Sequence, residues 1–279
     1  MKKCLLTLIC LINACVVEAQ TNCNVYKDKA HQLACQYYTD AIEYPQGAKA
    51  SQQLFIRSLE ACVTFGPTLH EMSVPYLKRG DFYTWKLLMD KAVQADPAAY
   101  LGDRGWCYFK HLHDYQNCYA DLYRLYKLTN GQPGYTGDGD YDLRLLMAIS
   151  QREMGNNKLA MYYFNECIRD HEKKNAIGLF DYLHRGVTLL KMKKYAAALA
   201  DLKLEVQKYQ KLADTHYYLG LTYLALHDTR NATKSLNHAR DLFLKTGYHR
   251  TDPYCEEPDQ VYLTDITEVL ATMGKKGSQ

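Results

Sequence analysis

Four side chains in the middle of the chain, Cys107, His111, His113 and Cys118, have the donor types and the spacing C-x3-H-x-H-x4-C that a zinc ion can use. Cys107 and His111 are four residues apart, so on a helix they share a face. The same two thiols, Cys107 and Cys118, are placed to close a disulfide across one helical hairpin. The plainer alternative makes Cys118 a small packing residue and His113 a turn residue. A second run, Asp138-Gly139-Asp140-Tyr141-Asp142, alternates carboxylates as a calcium loop does. A calcium loop of the EF-hand kind needs Gly at its sixth position and Glu at its twelfth; Leu143 and Ile149 stand there. The run therefore reads as a Gly-rich turn with Asp140 or Asp142 capping the next helix. No G-x-S-x-G, Walker, H-E-x-x-H or Rossmann glycine pattern occurs. The expectation is a protein that is not an enzyme and carries no cofactor.

The elements that position these residues begin after an export signal. Lys2 and Lys3 precede an apolar run from Leu5 to Val17, and Val17-Glu18-Ala19 resembles a cleavage site before Gln20. Residues 1–19 read as a signal peptide, and the destination as periplasmic or secreted. The alternative is a lipobox at Ile12-Asn13-Ala14-Cys15, with a lipid anchor on Cys15 of an outer-membrane lipoprotein. No later stretch has eighteen uninterrupted apolar residues, so no transmembrane segment is expected. Ten cysteines fall to seven after cleavage at Gln20, and an exported chain can keep disulfides. Cys35 with Cys62 is another conceivable bridge, because connectivity is not fixed by spacing. A net charge of +3 on 279 residues argues against nucleic acid as a partner. The 25 Tyr against 7 Phe suit half-exposed seams and interfaces.

Internal periodicity decides the fold class. Gly186 to Gly220, Ala198 to Ala232 and Leu202 to Leu236 are each 34 residues apart. Arg104-Gly105, Tyr108, Tyr115, Cys118 and Leu122 repeat the pattern upstream with one extra turn residue; Ala148, Gly155, Ala160 and Phe164 repeat it again. The run from Ser73 through Trp85 to Ala92 matches more loosely, with Trp85 in place of the small residue, which predicts a wider hairpin. Pro97 reads there as a helix stop. These segments resemble tetratricopeptide repeats. The resemblance, to an exported bacterial type, implies an all-α, right-handed helical solenoid of antiparallel helix pairs ending in a capping helix. Two helices approach closely only where their contact residues are small, so Gly105, Ala148, Ala160, Gly186, Ala198, Gly220 and Ala232 are the expected packing positions, with Gly186 facing Ala198 and Gly220 facing Ala232. The domain reading is residues 20–66 as an atypical N-terminal helix pair turning at Pro45-Gln46-Gly47, residues 67–246 as about four to five repeat pairs, and residues 247–279 as a cap. The capping helix is expected over Asp259–Met273, followed by a frayed tail.

In this family the first helices of successive repeats line a concave groove that holds a partner segment. Carried over residue by residue, the resemblance places Trp106, Phe109, Lys110, Arg152, His184, Lys191, Tyr217 and Tyr218 in that groove. The family's carboxylate-clamp positions hold Gly102, Trp106, Leu145, Ile149 and Leu183, so that clamp is absent. The implied function is an envelope scaffold or adaptor that binds a protein partner. The alternatives are a metal-binding or thiol-responsive protein built on Cys107, His111, His113 and Cys118, and an enzyme whose site lies between repeats.

Overall fold

The computed structural model describes residues 22–245, 249–252 and 254–276. The expected signal peptide, its cleavage site and Cys15 lie outside the described residues. Among the described residues the regular secondary structure is helical apart from an isolated Tyr135–Asp142 bridge, and no helix is long and apolar enough to cross a membrane.

The chain divides into two compact units between Ala95 and Asp96. In the first, α1 (Lys29–Ile42) and α2 (Lys49–Ala61) flank the Pro45-Gln46-Gly47 turn, and α3 (Gly66–Lys78) pairs with α4 (Phe82–Ala95). Asp28 caps α1 by accepting from the His31 amide. Cys23 and Cys35 are bridged. Cys62 is therefore free, not the partner of Cys35. Trp85 is buried, 1% exposed, on α4.

The second unit stacks four antiparallel pairs: α5 (Pro97–Leu112) with α6 (Tyr115–Leu128), α7 (Leu143–Glu153) with α8 (Asn157–Lys173), α9 (Asp181–Lys191) with α10 (Tyr195–Lys208), and α11 (Ala213–Ala225) with α12 (Thr229–Lys245). A final helix, α13 (Leu263–Lys276), packs on α12. α4 stops at Ala95, just ahead of Pro97 as expected, and Pro97 has a second role. It opens α5, behind the Asp96 cap, where its missing N–H costs nothing.

The repeat register is physical. Cys118, Ala160, Ala198 and Ala232 occupy the same place on the second helix of each pair, and all are fully buried. The small residues of the first helices meet a leucine one turn beyond the small residue of the second helix, and Gly220 also meets the Ala232 carbonyl, 3.4 Å from where its Cβ would be. A Cβ on Gly186 would lie 2.9 Å from Leu202 Cγ, and one on Gly220 2.6 Å from Leu236 Cγ. Gly105 meets Leu122 in the same way, at 2.7 Å. The leucine, four residues after the alanine, fills the space that the glycine leaves. Beside it the register repeats in charge: Arg104 grips Asp121 with two bonds of 2.7 and 2.6 Å, and Arg185 grips Asp201 with two of 2.6 and 2.8 Å. The turn before each second helix uses a left-handed residue, supplied by His113, Gly155, Lys193 and His227 in the four pairs.

The capping helix starts at Leu263, not at Asp259. Asp259 has φ of +54° and its carboxylate is taken up elsewhere, so it cannot open a helix. The amide of Tyr262 instead donates to Asp265 at 2.8 Å. The helix also runs through Gly274 to Lys276, into the stretch expected to fray.

Candidate functional site: the first-helix face of the second unit

The face formed by α5, α7, α9 and α11 carries every residue expected in the groove, and it is occupied. The described residues from His249 to Tyr262, between α12 and α13, are non-helical and run over it, and their carboxylates meet the basic groups of the face. Lys110 on α5 reaches Asp252 and Glu257, each at 3.0 Å. Arg152 on α7 donates to Asp259 Oδ2 at 2.8 Å, and His184 Nδ1 on α9 lies 2.8 Å from the same oxygen. Lys191 approaches the other carboxylate oxygen at 3.6 Å. Three consecutive first helices thus converge on one short acidic stretch.

The segment is fixed at both ends by Asp214, in the first turn of α11. Its two carboxylate oxygens accept from the backbone amides of Arg250 and Val261, each at 3.1 Å. The Arg250 guanidinium lies 4.3 Å from the Phe180 ring centre, bonds to Tyr141 and to the Pro258 carbonyl, and pairs with Glu257 at 3.1 Å. Cation–ring contact with additional donors is a strong anchor for a guanidinium.

Electrostatics follow from burial. Asp259 is buried; that burial opposes its charge, but the Arg152 cation and the His184 bond hold the carboxyl far below the usual carboxylate range. Burial pulls His184 down to about 4 against the opposing pull of Asp259, so the imidazole is neutral at pH 7. Burial also opposes charge on Asp252, yet the Tyr254 amide and Lys110 hold it at about 2. The Lys110 ammonium is held above its ordinary value, burial being outweighed by bonds to Asp252 and Glu257.

The expected groove residues come together, though less openly than a groove implies. Arg152 and His184 are buried, because the chain's own segment covers them. Phe109 is buried, 3% exposed, between Trp106 and Tyr115. Trp106 is half-buried, with the Lys110 ammonium 5.1 Å from its ring centre. Tyr217 and Tyr218 pack against the buried cluster of Ala239, Val261 and Ile266. A cavity of about 290 Å³ remains beside the segment, lined by Phe109, Tyr115, Arg152, Lys191, Tyr218 and Pro258 among others. Tyr141, Phe180, Asp214 and Arg250 were not among the expected residues. The signal that could have found them is the segment itself, with Asp252, Glu256, Glu257 and Asp259 within eight residues and prolines at 253 and 258.

The cysteine–histidine quartet does not assemble. Cys107 and Cys118 are both free thiols, not a disulfide. Cys118 faces the seam with α7, where Ser150 Oγ donates to it at 3.3 Å. His113 turns out of α5 in a left-handed conformation and stacks on Tyr115. Among the described residues, three donors close enough for one ion occur elsewhere: Asp142, Cys167 and His171. That cluster is already satisfied. Arg144 grips Asp142 with two bonds of 2.9 and 2.7 Å, and His171 sits between Asp142 at 3.3 Å and Asp181 at 2.6 Å. Those two bonds hold the His171 imidazolium at about 9. Asp142 also caps α7, as the turn reading anticipated.

No family model matches the chain, and no curated protein matches it. Solved structures do. The fold is similar to PilW, a widely conserved type IV pilus biogenesis factor, at 14% identity over 85% of this chain and 99% of that one, with a TM-score of 0.60. It is similar to PilF of Pseudomonas aeruginosa at 15% identity over 78% and 95%, with a TM-score of 0.58. It is also similar to YrrB, a tetratricopeptide-repeat protein with an unusual peptide-binding site, at 16% identity over 70% and 94%, with a TM-score of 0.51. At such identities the likeness is one of fold. The consecutive helix pairs, the 34-residue register and these likenesses together establish that the chain has the tetratricopeptide-repeat fold.

Proposed function

We propose that this protein is a non-catalytic interaction scaffold, exported to the cell envelope, that binds a segment of a protein partner on the first-helix face of its second unit. One observation carries the reading: that face already holds a stretch of polypeptide through side chains from α5, α7, α9 and α11. The means are those of peptide recognition. Aromatic and basic side chains supply anchors, and a carboxylate of the core, Asp214, fixes backbone amides. The placement in the envelope rests on the signal-like first nineteen residues.

The test is affinity capture from the cell of origin, with the chain from Gln20 onward as bait and Lys110→Glu and Trp106→Ala variants as controls. A partner held by the first bait and lost from both variants supports the reading. A partner that binds all three baits equally overturns the assignment to this face.

A further inference from the structure

The segment from His249 to Tyr262 has the composition of a ligand. It carries Asp252, Glu256, Glu257 and Asp259 against a single arginine. The surface beneath it supplies the complement: Lys110 for Asp252 and Glu257, Arg152, His184 and Lys191 for Asp259. Its described residues form no helix and make none of the glycine–leucine contacts that hold the pairs together. From Arg250 to Asp259 its hold on the face is mostly polar, through charge-assisted bonds and the Arg250 amide on Asp214, while its two ends add apolar contact, Val261 in the buried cluster with Ala239 and Ile266 and His249 stacked on Phe243. A polar, non-helical segment held this way leaves at lower cost than any helix of the stack. The repeats keep their own core if it goes, because Leu122, Leu202 and Leu236 lie in the seams between paired helices.

We propose that residues 249–262 are a displaceable occupant of the binding face, and that the partner is a non-helical acidic protein segment whose carboxylates replace Asp252, Glu257 and Asp259. The proposal rests on the scaffold reading and gives the chemistry of its partner. The partner competes with a tethered resident, so the apparent affinity of the free face is reduced by the fraction of molecules in which the resident has left. A guanidinium slot between Tyr141 and Phe180 adds a second requirement, met in the resident by Arg250.

The probe is a fluorescent peptide of residues 249–262 with Cys255→Ser, titrated against the full chain by anisotropy. The wild-type protein, its face occupied, binds weakly. A protein carrying Asp252→Asn and Glu257→Gln, which loosens the resident at Lys110, binds the same peptide about tenfold or more tightly. Adding Lys110→Glu removes the gain, and so does neutralising the carboxylates of the peptide. If the double variant is unstable, Asp252→Asn alone serves, since that carboxylate lies at the rim with 20% of its side chain exposed. Equal binding by wild type and loosened variant overturns the proposal, as does undiminished binding of the neutralised peptide. A partner that stays bound to wild type in excess peptide, yet is lost with Lys110→Glu, refutes the acidic-segment claim and leaves the scaffold standing.

Discussion

Arg152 and Asp259 are 107 residues apart in the chain and 2.8 Å apart in the fold. Both side chains are nearly inaccessible, at 4% and 3% exposed. Removing one partner of a buried pair strands the other charge, at a cost of about 3–5 kcal/mol when the site cannot open. Here the segment can lift away and let water reach Arg152. Asp259→Asn should therefore destabilise the second unit by less than that figure, while hydrogen exchange at residues 249–262 accelerates. Chemical denaturation and peptide-resolved exchange on the same variant check both halves.

Acidity should loosen the same contact. The folded value of His184, about 4, lies below the ordinary histidine value of 6.5. The unfolded state thus takes up the proton first, and stability is present above pH 6.5 and lost as pH falls toward 4. Asp259, also depressed, acts in the same direction below the ordinary carboxylate range. His171 acts oppositely. Its folded value of about 9 lies above the ordinary one, so its contribution is full below pH 6.5 and gone above pH 9. Glu205, raised to about 8 by burial, also contributes stability that is lost as pH rises from the ordinary carboxylate range toward 8, so it adds to the alkaline limb. His171→Gln should remove the part of the alkaline loss that falls between pH 6.5 and 9 and leave the acid limb, as thermal unfolding across pH would record.

The close approach of Gly220 to Leu236 predicts coupling. Gly220→Ala forces a Cβ to within 2.6 Å of Leu236 Cγ and should destabilise by about 1–3 kcal/mol. Leu236→Ala alone leaves a cavity. The two together should cost less than their sum, with an interaction energy of about 1 kcal/mol or more in a double-mutant cycle.

Lys193 is exposed and adopts φ of +60° in the turn before α10, a conformation that strains any residue with a Cβ. Lys193→Gly should raise stability by about 0.5–1 kcal/mol. The same change on the regular surface of α10 should lower it. Denaturation midpoints of the two variants decide.

The fold was legible because its cause is periodic. The glycine that admits a leucine at Gly186 recurs 34 residues on at Gly220, with the alanine and leucine of each second helix at the same offset, and no packing detail is needed to see it. The leucine that fills the gap was not legible, because the sequence shows which positions are small and not which large side chain enters between them. Part of the candidate face was legible. Lys110, Arg152, His184 and Lys191 follow from the repeat frame. Their occupant did not, because Asp259 sits just ahead of the apolar spacing of Val261, Leu263 and Ile266 and reads as part of a helix. Only the tertiary contact with Arg152 and His184 shows that it is not. The cysteine–histidine quartet misled for the converse reason. Spacing brought Cys107 and Cys118 close in sequence, while Cys118 turned into the next seam.

The most direct measurement is hydrogen exchange at the amides of Arg250 and Val261, both held by Asp214, with and without a saturating captured partner. The account predicts that these amides lose protection when the partner binds, while α5, α7 and α9 keep or gain it. Protection that persists at residues 249–262 in the complex would contradict it, because the partner would then be bound on some other surface.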